Sequence, residues 1–207
     1  MRYFIITSLR YAFYTFLRIV CSLSGHLYLF LNGVDCERGF ESRGWLHVYR
    51  RKDSVIKLGE NCRFNSLAYF NHIGLNHRCS LATMGGGNTS LIIGKNCGIS
   101  SSTITAFKKI EIEDDVRIGA NCVIMGADFH LEDPRSGKPQ PIKIGDRVWL
   151  GANVIVMKGV TIGNNSIIGM NSVVTNDIPE NSVAVGSPAN VIRKLDEDVI
   201  IRLEKNE

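Results

Sequence analysis

The stretch Ile144-Gly-Asp-Arg-Val-Trp-Leu-Gly-Ala-Asn-Val-Ile-Val-Met-Lys-Gly-Val-Thr-Ile-Gly163 decides the fold of this chain. Every sixth residue in it is aliphatic, and the series runs on beyond it: Ile144, Leu150, Val156, Ile162, Ile168 and Val174. A helix would place apolar residues at spacings of three and four, and a half-buried strand would alternate. A fixed period of six instead indicates one short unit stacked on itself. It predicts a coil with straight sides and tight corners, in which each side buries one aliphatic residue.

The remaining positions of the repeat agree with stacked coils. The fourth residue after each aliphatic position is small or β-branched: Val148, Val154, Val160, Ser166 and Ser172. Asn often precedes that residue, and Gly follows most of the aliphatic ones. Because Asn and Gly tolerate a positive φ, both predict sharp corners. The period recurs upstream, for example at Ile112, Ile118 and Ile124, and slips in phase between blocks predict loops that leave the coil, among them residues 127–141.

The opening stretch is followed by Ile168-Gly-Met-Asn-Ser-Val-Val-Thr-Asn-Asp-Ile-Pro179 and by Gly186-Ser-Pro-Ala-Asn-Val-Ile-Arg193. Together they closely resemble the hexapeptide-repeat acyltransferases, and within them the bacterial sugar and polysaccharide O-acetyltransferases. The resemblance implies a left-handed parallel β-helix, acetyl-CoA as the acyl donor, and a homotrimer with active sites between neighbouring subunits. The hand is implied by the resemblance alone, since general rules favour right-handed crossovers between parallel strands.

The chain is therefore predicted to be mainly β, with helical attachments at both ends. Residues 1–45 are expected to form an apolar helical segment, 46–187 the β-helix with the extruded loop 127–141, and 188–207 a C-terminal helix. The last prediction rests on one apolar stripe, Ile192, Leu195, Val199 and Leu203. A chain of 207 residues suffices for a single core. The mild net charge of +4 is not typical of a nucleic-acid-binding protein.

Six cysteines raise the alternatives of a disulfide scaffold or a metal site. Cys62, Cys97 and Cys122, however, each stand four residues after an aliphatic position, in the small interior slot of the repeat. We therefore expect core residues rather than ligands. Without a Cys-x-x-Cys pair, the composition fits a reducing, cytoplasmic location.

Residues 3–31 are rich in aromatic and aliphatic side chains, interrupted by Arg10, Arg18 and His26. A signal peptide is not expected, because no clean small-residue cleavage site follows a single apolar core. The uncharged runs, 11–17 and 19–31, are shorter than the roughly 20 residues of a membrane span. Two alternatives remain: a helical cap that packs on the first coil or on a neighbouring subunit, and an amphipathic segment on the inner face of the cell membrane.

The predicted loop 127–141 contains Asp128-Phe-His130, and the resemblance implies that His130 is the general base. A sugar hydroxyl needs its proton removed as it attacks a thioester, and histidine does this near neutral pH. A carboxylate on the other ring nitrogen would fix the tautomer, so Asp128 is a candidate for that role or for substrate contact. No nucleophile motif is present, which favours direct attack without an acyl-enzyme.

The resemblance also implies the cofactor positions. These are Trp149, Gly151, Ala152, Met170, Thr175, Asn176, Asn190, Arg193 and Lys194. Backbone N–H groups near Gly151 or Ala152 are candidates for the oxyanion site. Asn176 and Asn190 stand where relatives often carry a basic residue, which leaves Arg193 and Lys194 as the candidates for phosphate.

Asn71, His72, Ser100 and Ser101 are weaker candidates for the acceptor sugar, because packing and corner hydrogen bonds explain them as readily. His72 and His77 also form an HxxxxH pair, as in γ-class carbonic anhydrases. The next histidine upstream, His47, is poorly placed for a third zinc ligand, so no metal is expected. A serine- or antibiotic-type acetyltransferase and a non-catalytic solenoid scaffold remain as further alternatives.

Overall fold

The computed structural model describes residues 2–205 as a solenoid of short strands with one helix at each end. The helices are α1 (Arg2–Leu31) and α2 (Glu197–Lys205), and one 3-10 turn spans Ala68–Phe70. The strands are β1 (Asp35–Cys36), β2 (Glu41–Arg43), β3 (His47–Arg50), β4 (Val55–Leu58), β5 (Arg63–Asn65), β6 (Ser80–Thr83), β7 (Ser90–Ile93), β8 (Gly98–Ser100), β9 (Thr103–Ala106), β10 (Lys109–Ile112), β11 (Arg117–Ile118), β12 (Val123–Met125), β13 (Ile142–Ile144), β14 (Trp149–Leu150), β15 (Ile155–Val156), β16 (Thr161–Ile162), β17 (Ile167–Ile168), β18 (Val173–Val174), β19 (Ser182–Gly186) and β20 (Ala189–Lys194).

The strands form three sheets, and each strand from β1 to β15 pairs with the strand three places on. The first sheet runs β1-β4-β7-β10-β13-β16, the second β2-β5-β8-β11-β14-β17-β19-β20, and the third β3-β6-β9-β12-β15-β18. All pairings are parallel except that of β19 with β20. Three consecutive strands, one per sheet, therefore make one coil, and six coils run from β1 to β18. The mainly β, parallel coiled architecture predicted from the period of six is confirmed.

The aliphatic residues of the repeat fill the inside of the coil. Ile112 lies opposite Ile144 and Ile118 opposite Leu150, so identical repeat positions stack from coil to coil. All six aliphatic residues of the series from 144 to 174 are fully buried. Cys62, Cys97 and Cys122 are buried and free, as predicted.

Asn and Gly serve different purposes at the corners. Asn153, Asn165 and Asn171 adopt positive φ angles of 58°, 61° and 58°, as predicted. Gly145 and Gly151, in contrast, do not have a positive φ, so that part of the prediction was wrong. A Cβ built on Gly151 would lie 2.8 Å from the backbone nitrogen of Met170 in the next coil. The repeat glycine is thus required by the close approach of successive coils rather than by the turn itself.

Both predicted boundaries of the β-helix need correction. The first coil begins at Asp35 rather than at residue 46, because Val34, Phe40 and Leu46 already follow the period of six. At the other end, residues 189–194 form β20 instead of the start of a helix. β19 would otherwise leave one edge of the second sheet unpaired, and Gly186, at a φ of +105°, allows the chain to turn back so that β20 pairs with that edge. α2 is therefore only nine residues long.

α1 packs on the first coil with one face, as the cap alternative predicts. Cys21, Gly25 and Leu29 are buried on that face, one turn apart. The segment Leu9–Leu31 has the length and the mean hydropathy, 1.3, of a membrane span, and only 17% of it is buried. The sequence alone disfavoured a span because Arg18 divides the apolar runs, yet the helix continues through that arginine.

Candidate active site

The extruded loop (residues 127–141) leaves the fourth coil between β12 and β13, at the corner that joins the third sheet to the first. Its two ends are held together at the coil. Gln140 N–H donates to the Gly126 carbonyl at 3.0 Å, and Gly126 N–H donates to the Thr105 carbonyl at 3.0 Å. Ala127 is buried, whereas most of the loop beyond it is exposed. The loop therefore projects from the β-helix, is anchored to it at both ends by backbone hydrogen bonds, and carries exposed polar side chains.

Lys158 ties this loop to the next coil. Its Nζ donates to Asp128 Oδ2 at 2.5 Å and to the Gly137 carbonyl at 3.2 Å, which connects both halves of the loop to the corner after β15. The lysine side chain is only 16% exposed. The hydrogen bond from Lys158 lowers the pKa of Asp128 below its ordinary value. Neither the loop's sequence nor the repeat pattern predicted Lys158, because it lies in a different coil.

His130 projects from the loop and does not contact Asp128. Its Nδ1 lies 3.3 Å from Glu132 Oε1, so Glu132 occupies the place predicted for Asp128 as the partner of the ring. Asp128 instead faces Lys158. A carboxylate only accepts, so a hydrogen bond here places the proton on Nδ1 and leaves Nε2 free to accept one. The exposed ring can therefore take a proton from a bound hydroxyl.

An aromatic pair supports the loop beside His130. Phe129 meets Phe107 edge to face, with ring centroids 5.9 Å apart. Phe107 is buried in the corner between β9 and β10, directly below the loop, while Phe129 is 56% exposed. The half-open ring of Phe129 provides an apolar surface next to a potential base, an arrangement suited to a sugar or to an acyl chain.

The predicted cofactor residues do not converge within one chain. Ala152 and Met170 stack on the corner that joins the second sheet to the third, where Asn171 N–H donates to the Ala152 carbonyl at 3.0 Å. Gly151 lies on the same corner, and Trp149 lies on β14 just before it with its ring 55% exposed. Thr175 and Asn176 follow β18, on the third-to-first corner that also carries the extruded loop. The third sheet separates the two groups.

The basic candidates lie on β20. Lys194 Nζ donates to the Glu180 carbonyl at 3.1 Å and to Ser182 Oγ at 3.0 Å, so this lysine fastens β20 to the last coil. Asn190 and Arg193 are exposed; Asn190 donates to the Pro188 carbonyl at 3.1 Å and Arg193 to the Lys194 carbonyl at 3.3 Å. Arg193 is thus better placed than Lys194 to meet an anion.

The predicted acceptor residues lie on the second-to-third corner, away from the extruded loop. Ser100 and Ser101 are buried. Ser100 Oγ accepts a hydrogen bond from Asn65 at 3.1 Å, and Ser101 Oγ donates to the His77 carbonyl. Both are therefore structural, which corrects their assignment to the acceptor. Asn71 Oδ1 accepts from Ile73 N–H at 3.1 Å, which closes a local turn.

His72 is exposed and borders a hollow of about 340 Å³ between α1 and the segment 66–79. This hollow lies two coils below the extruded loop and on another corner. Between residues 2 and 205, no group of three His, Cys, Asp or Glu side chains is placed to hold a metal ion.

The hexapeptide pattern is matched by known families. Residues 141–176 match the bacterial transferase hexapeptide family (six repeats), and residues 109–128 match the hexapeptide repeat of succinyl-transferase. Galactoside O-acetyltransferase of Escherichia coli (strain K12) is 34% identical over 157 residues, which cover 71% of this chain and 70% of that protein. The chain belongs to the hexapeptide-repeat acetyltransferases.

Solved structures of this family share the fold. A maltose O-acetyltransferase from Clostridium difficile 630 superposes with a TM-score of 0.50 at 26% identity, over 89% of each chain. A hexapeptide-repeat acetyltransferase from Vibrio cholerae O1 biovar eltor, complexed with acetyl coenzyme A, gives a TM-score of 0.52 at 22% identity, over 84% of this chain and 79% of that one. The coil is thus the left-handed β-helix of these hexapeptide-repeat acetyltransferases, as the resemblance implied.

Proposed function

We propose that this acetyltransferase uses acetyl-CoA to acetylate a sugar hydroxyl of a cell-surface polysaccharide or its precursor, with His130 as general base. The observation that carries the proposal is the rooted loop, which presents an exposed imidazole beside Phe129 in a chain of this family. The relatives named for galactoside and maltose support a sugar as the acceptor.

The reaction needs one base and no covalent enzyme intermediate. His130 Nε2 accepts the proton of the hydroxyl while the hydroxyl oxygen attacks the thioester carbonyl. The C–O bond forms, the tetrahedral oxyanion collapses, and the C–S bond breaks. The imidazolium then returns its proton to the CoA thiolate. Glu132, close to Nδ1, stabilises the positive charge that develops on the ring.

Free-thiol release from acetyl-CoA, measured over nucleotide sugars, oligosaccharides, serine and chloramphenicol, tests this proposal. We expect a signal with a glycan that falls about 10²- to 10⁴-fold in His130→Ala, the usual effect of losing a general base. His26→Ala is the matched control, since this exposed histidine lies on α1 at the lower end of the β-helix, and it should keep wild-type activity. Equal activity of His130→Ala and wild type would contradict the assignment of the base. A signal with serine or chloramphenicol alone would contradict the sugar acceptor.

We further propose a homotrimer whose sites lie between subunits. The extruded loop and Ala152 occupy different corners of one chain, so a single chain leaves the site incomplete. A neighbouring copy packed against the third sheet would bring the loop of one subunit to the Ala152 corner of the other. Sedimentation should give about three times the 23.0 kDa of the chain.

Mixed trimers test the shared site directly. We would mix inactive His130→Ala subunits with inactive Ala152→Trp subunits, in which the indole blocks the cofactor groove. If each site takes His130 from one subunit and Ala152 from its neighbour, random mixing in equal amounts restores about a quarter of the sites, one half multiplied by one half. A site built within one chain would give no recovery.

A further inference from the structure

α1 closes the lower end of the β-helix. Leu29 has no exposed surface and belongs to the same core as the coils above it. Ser22 Oγ accepts from Ser42 N–H at 3.0 Å and donates to the Ser42 carbonyl at 3.3 Å. The Tyr28 hydroxyl accepts from Val48 N–H at 3.4 Å. These contacts satisfy backbone groups of β2 and β3, which are the outermost strands of their sheets.

The opposite face of α1 is apolar and exposed. Large side chains recur along it at alternating spacings of four and three, and their exposed fractions run from 42% for Val20 to 74% for Phe30. We call this set the outer stripe: Leu9, Phe13, Phe16, Val20, Leu23, Leu27 and Phe30. Ile19 and Leu31, which are 50% and 71% exposed, widen it on either side.

This is the reverse of what a solenoid end requires in water. A terminal unit normally turns a polar face outward, because it has no further repeat to cover it. α2, at the other end of the chain, has charged residues in its first and last turns, including Glu197, Asp198, Arg202 and Lys205. α1 seals the core with one face and leaves an apolar face of more than 100° uncovered. A contiguous exposed apolar face of this kind is typical of an interaction surface.

The charge of α1 and the aromatic residues near its C-terminal end favour a lipid surface over another copy of the helix. α1 contains no Asp or Glu. Arg10 is exposed, whereas Arg18 faces the coil and lines the hollow beside Tyr69. Helices that pair through such a stripe usually carry opposite charges beside it, which α1 lacks. An exposed arginine such as Arg10, on a helix without acidic residues, instead suits anionic headgroups. Trp45, 65% exposed, borders a hollow together with Tyr28, and both are residues typical of the membrane interface.

We propose that the outer stripe of α1 docks on an anionic lipid bilayer and lies along its surface. α1 does not span the bilayer in this arrangement, although its length would allow it. Cys21, Gly25 and Leu29 are packed on the first coil, and Tyr14 stacks on Tyr69 with ring centroids 4.9 Å apart. A spanning helix would have to abandon these contacts along most of its length.

Docking would fix the distance of the extruded loop from the membrane. The loop leaves the fourth coil, three inter-strand spacings above the coil that α1 covers. At about 4.8 Å for each spacing, the loop lies about 14 Å above the first coil along the axis of the β-helix. α1, about 10 Å across, lies between that coil and the lipid, so the loop is roughly 25 Å from the membrane. A lipid-linked acceptor that extends about 25 Å from the bilayer would thus reach the loop.

Vesicle sedimentation with the full chain tests the docking. We expect wild type to bind vesicles of phosphatidylcholine with phosphatidylglycerol more tightly than vesicles of phosphatidylcholine alone. Leu23→Gln combined with Leu27→Gln should lower the partition coefficient about 100-fold, since each leucine accounts for about a factor of ten. Val191→Gln combined with Ile192→Gln, on the exposed face of β20, is the matched control and should bind as wild type does.

Sedimentation velocity without lipid tests whether a second copy of the chain, rather than lipid, covers the outer stripe. The proposal is overturned if wild type fails to bind either vesicle, or if the leucine variant binds as tightly as wild type. It is also overturned if the leucine variant loses subunits in lipid-free buffer, since the stripe would then join copies of the chain. Circular dichroism checks that the variants keep their fold, and Leu27→Gln alone, with an expected tenfold loss, replaces the double variant if it does not fold.

Discussion

The contact between Asp128 and Lys158 shows how a single residue outside the loop sets the position of a candidate base. Lys158→Met removes the charge and both hydrogen bonds while keeping the length of the side chain. We expect the loop to loosen, so that trypsin cleaves after Arg135 faster than in wild type. In an activity assay kcat should fall about tenfold or more, because misplacement of a reacting group is costly.

Lys143→Met is the control for that substitution. Lys143 also pairs with a carboxylate, Glu113 at 2.8 Å, but on the exposed face of the first sheet. An exposed pair of this kind contributes about 0–1 kcal/mol, so neither cleavage nor kcat should change. If Lys158→Met and Lys143→Met behave alike, the tie between loop and coil has no functional role.

Cys122 makes the stability of the chain depend on pH in the alkaline range. Burial raises the pKa of this thiol from about 9 to about 11. The unfolded thiol therefore ionises first, and the folded state loses stability as pH rises from about 9 towards about 11. The loss due to Cys122 is of the order of 2 kcal/mol. Urea unfolding at several pH values should show a shallower decline for Cys122→Ala than for wild type, and equal slopes would contradict the prediction.

At the scale of elements, the asparagine corners hold adjacent coils together. Asn165 is buried, adopts a φ of 61°, accepts from Arg147 Nε at 2.7 Å and donates to Asn181 Oδ1 at 2.7 Å. Asn165→Ala loses these bonds and strains the backbone, so we expect a loss of about 2–4 kcal/mol in unfolding free energy. Asn165→Gly loses the bonds alone.

The difference in unfolding free energy between Asn165→Ala and Asn165→Gly measures the cost of backbone strain at this corner. Glycine adopts a positive φ without strain, so Asn165→Gly should be about 1 kcal/mol more stable than Asn165→Ala. Chemical denaturation of both variants gives the comparison. Equal stabilities would mean that the corner owes its conformation to the hydrogen bonds only.

For the whole molecule, the solenoid is expected to respond to damage locally. Leu29→Ala opens the core at the lower end and should cost about 2–5 kcal/mol. Each coil is stabilised by its neighbours, so hydrogen exchange should quicken in β1, β2 and β3 and remain slow in β13 to β18. Leu27→Ala, on the outer stripe, should change stability by less than about 0.5 kcal/mol. Uniform loss of protection along the chain would contradict this behaviour.

The sequence by itself determined the coil, because its information is periodic and local. One repeat, with the backbone conformation that its corners require, explains three features. These are the aliphatic residues from Ile144 to Val174, the interior cysteines and the asparagine corners. The loop 127–141 was also predictable, as a slip in that period. The same reasoning extended to Val34, Phe40 and Leu46 would have found the first coil.

Only the tertiary structure decided which distant residues meet. Asp128 faces Lys158 because loops of unequal length set the offset between residues that stack in neighbouring coils. Within the loop, the fold of the backbone brings His130 to Glu132 rather than to Asp128. The repeat glycines owe their identity to the backbone of the next coil, as at Gly151 and Met170. Residues 189–194 form a strand because the open edge of β19 offers backbone hydrogen-bond partners. The pattern of apolar side chains in the sequence cannot show that such an edge is available.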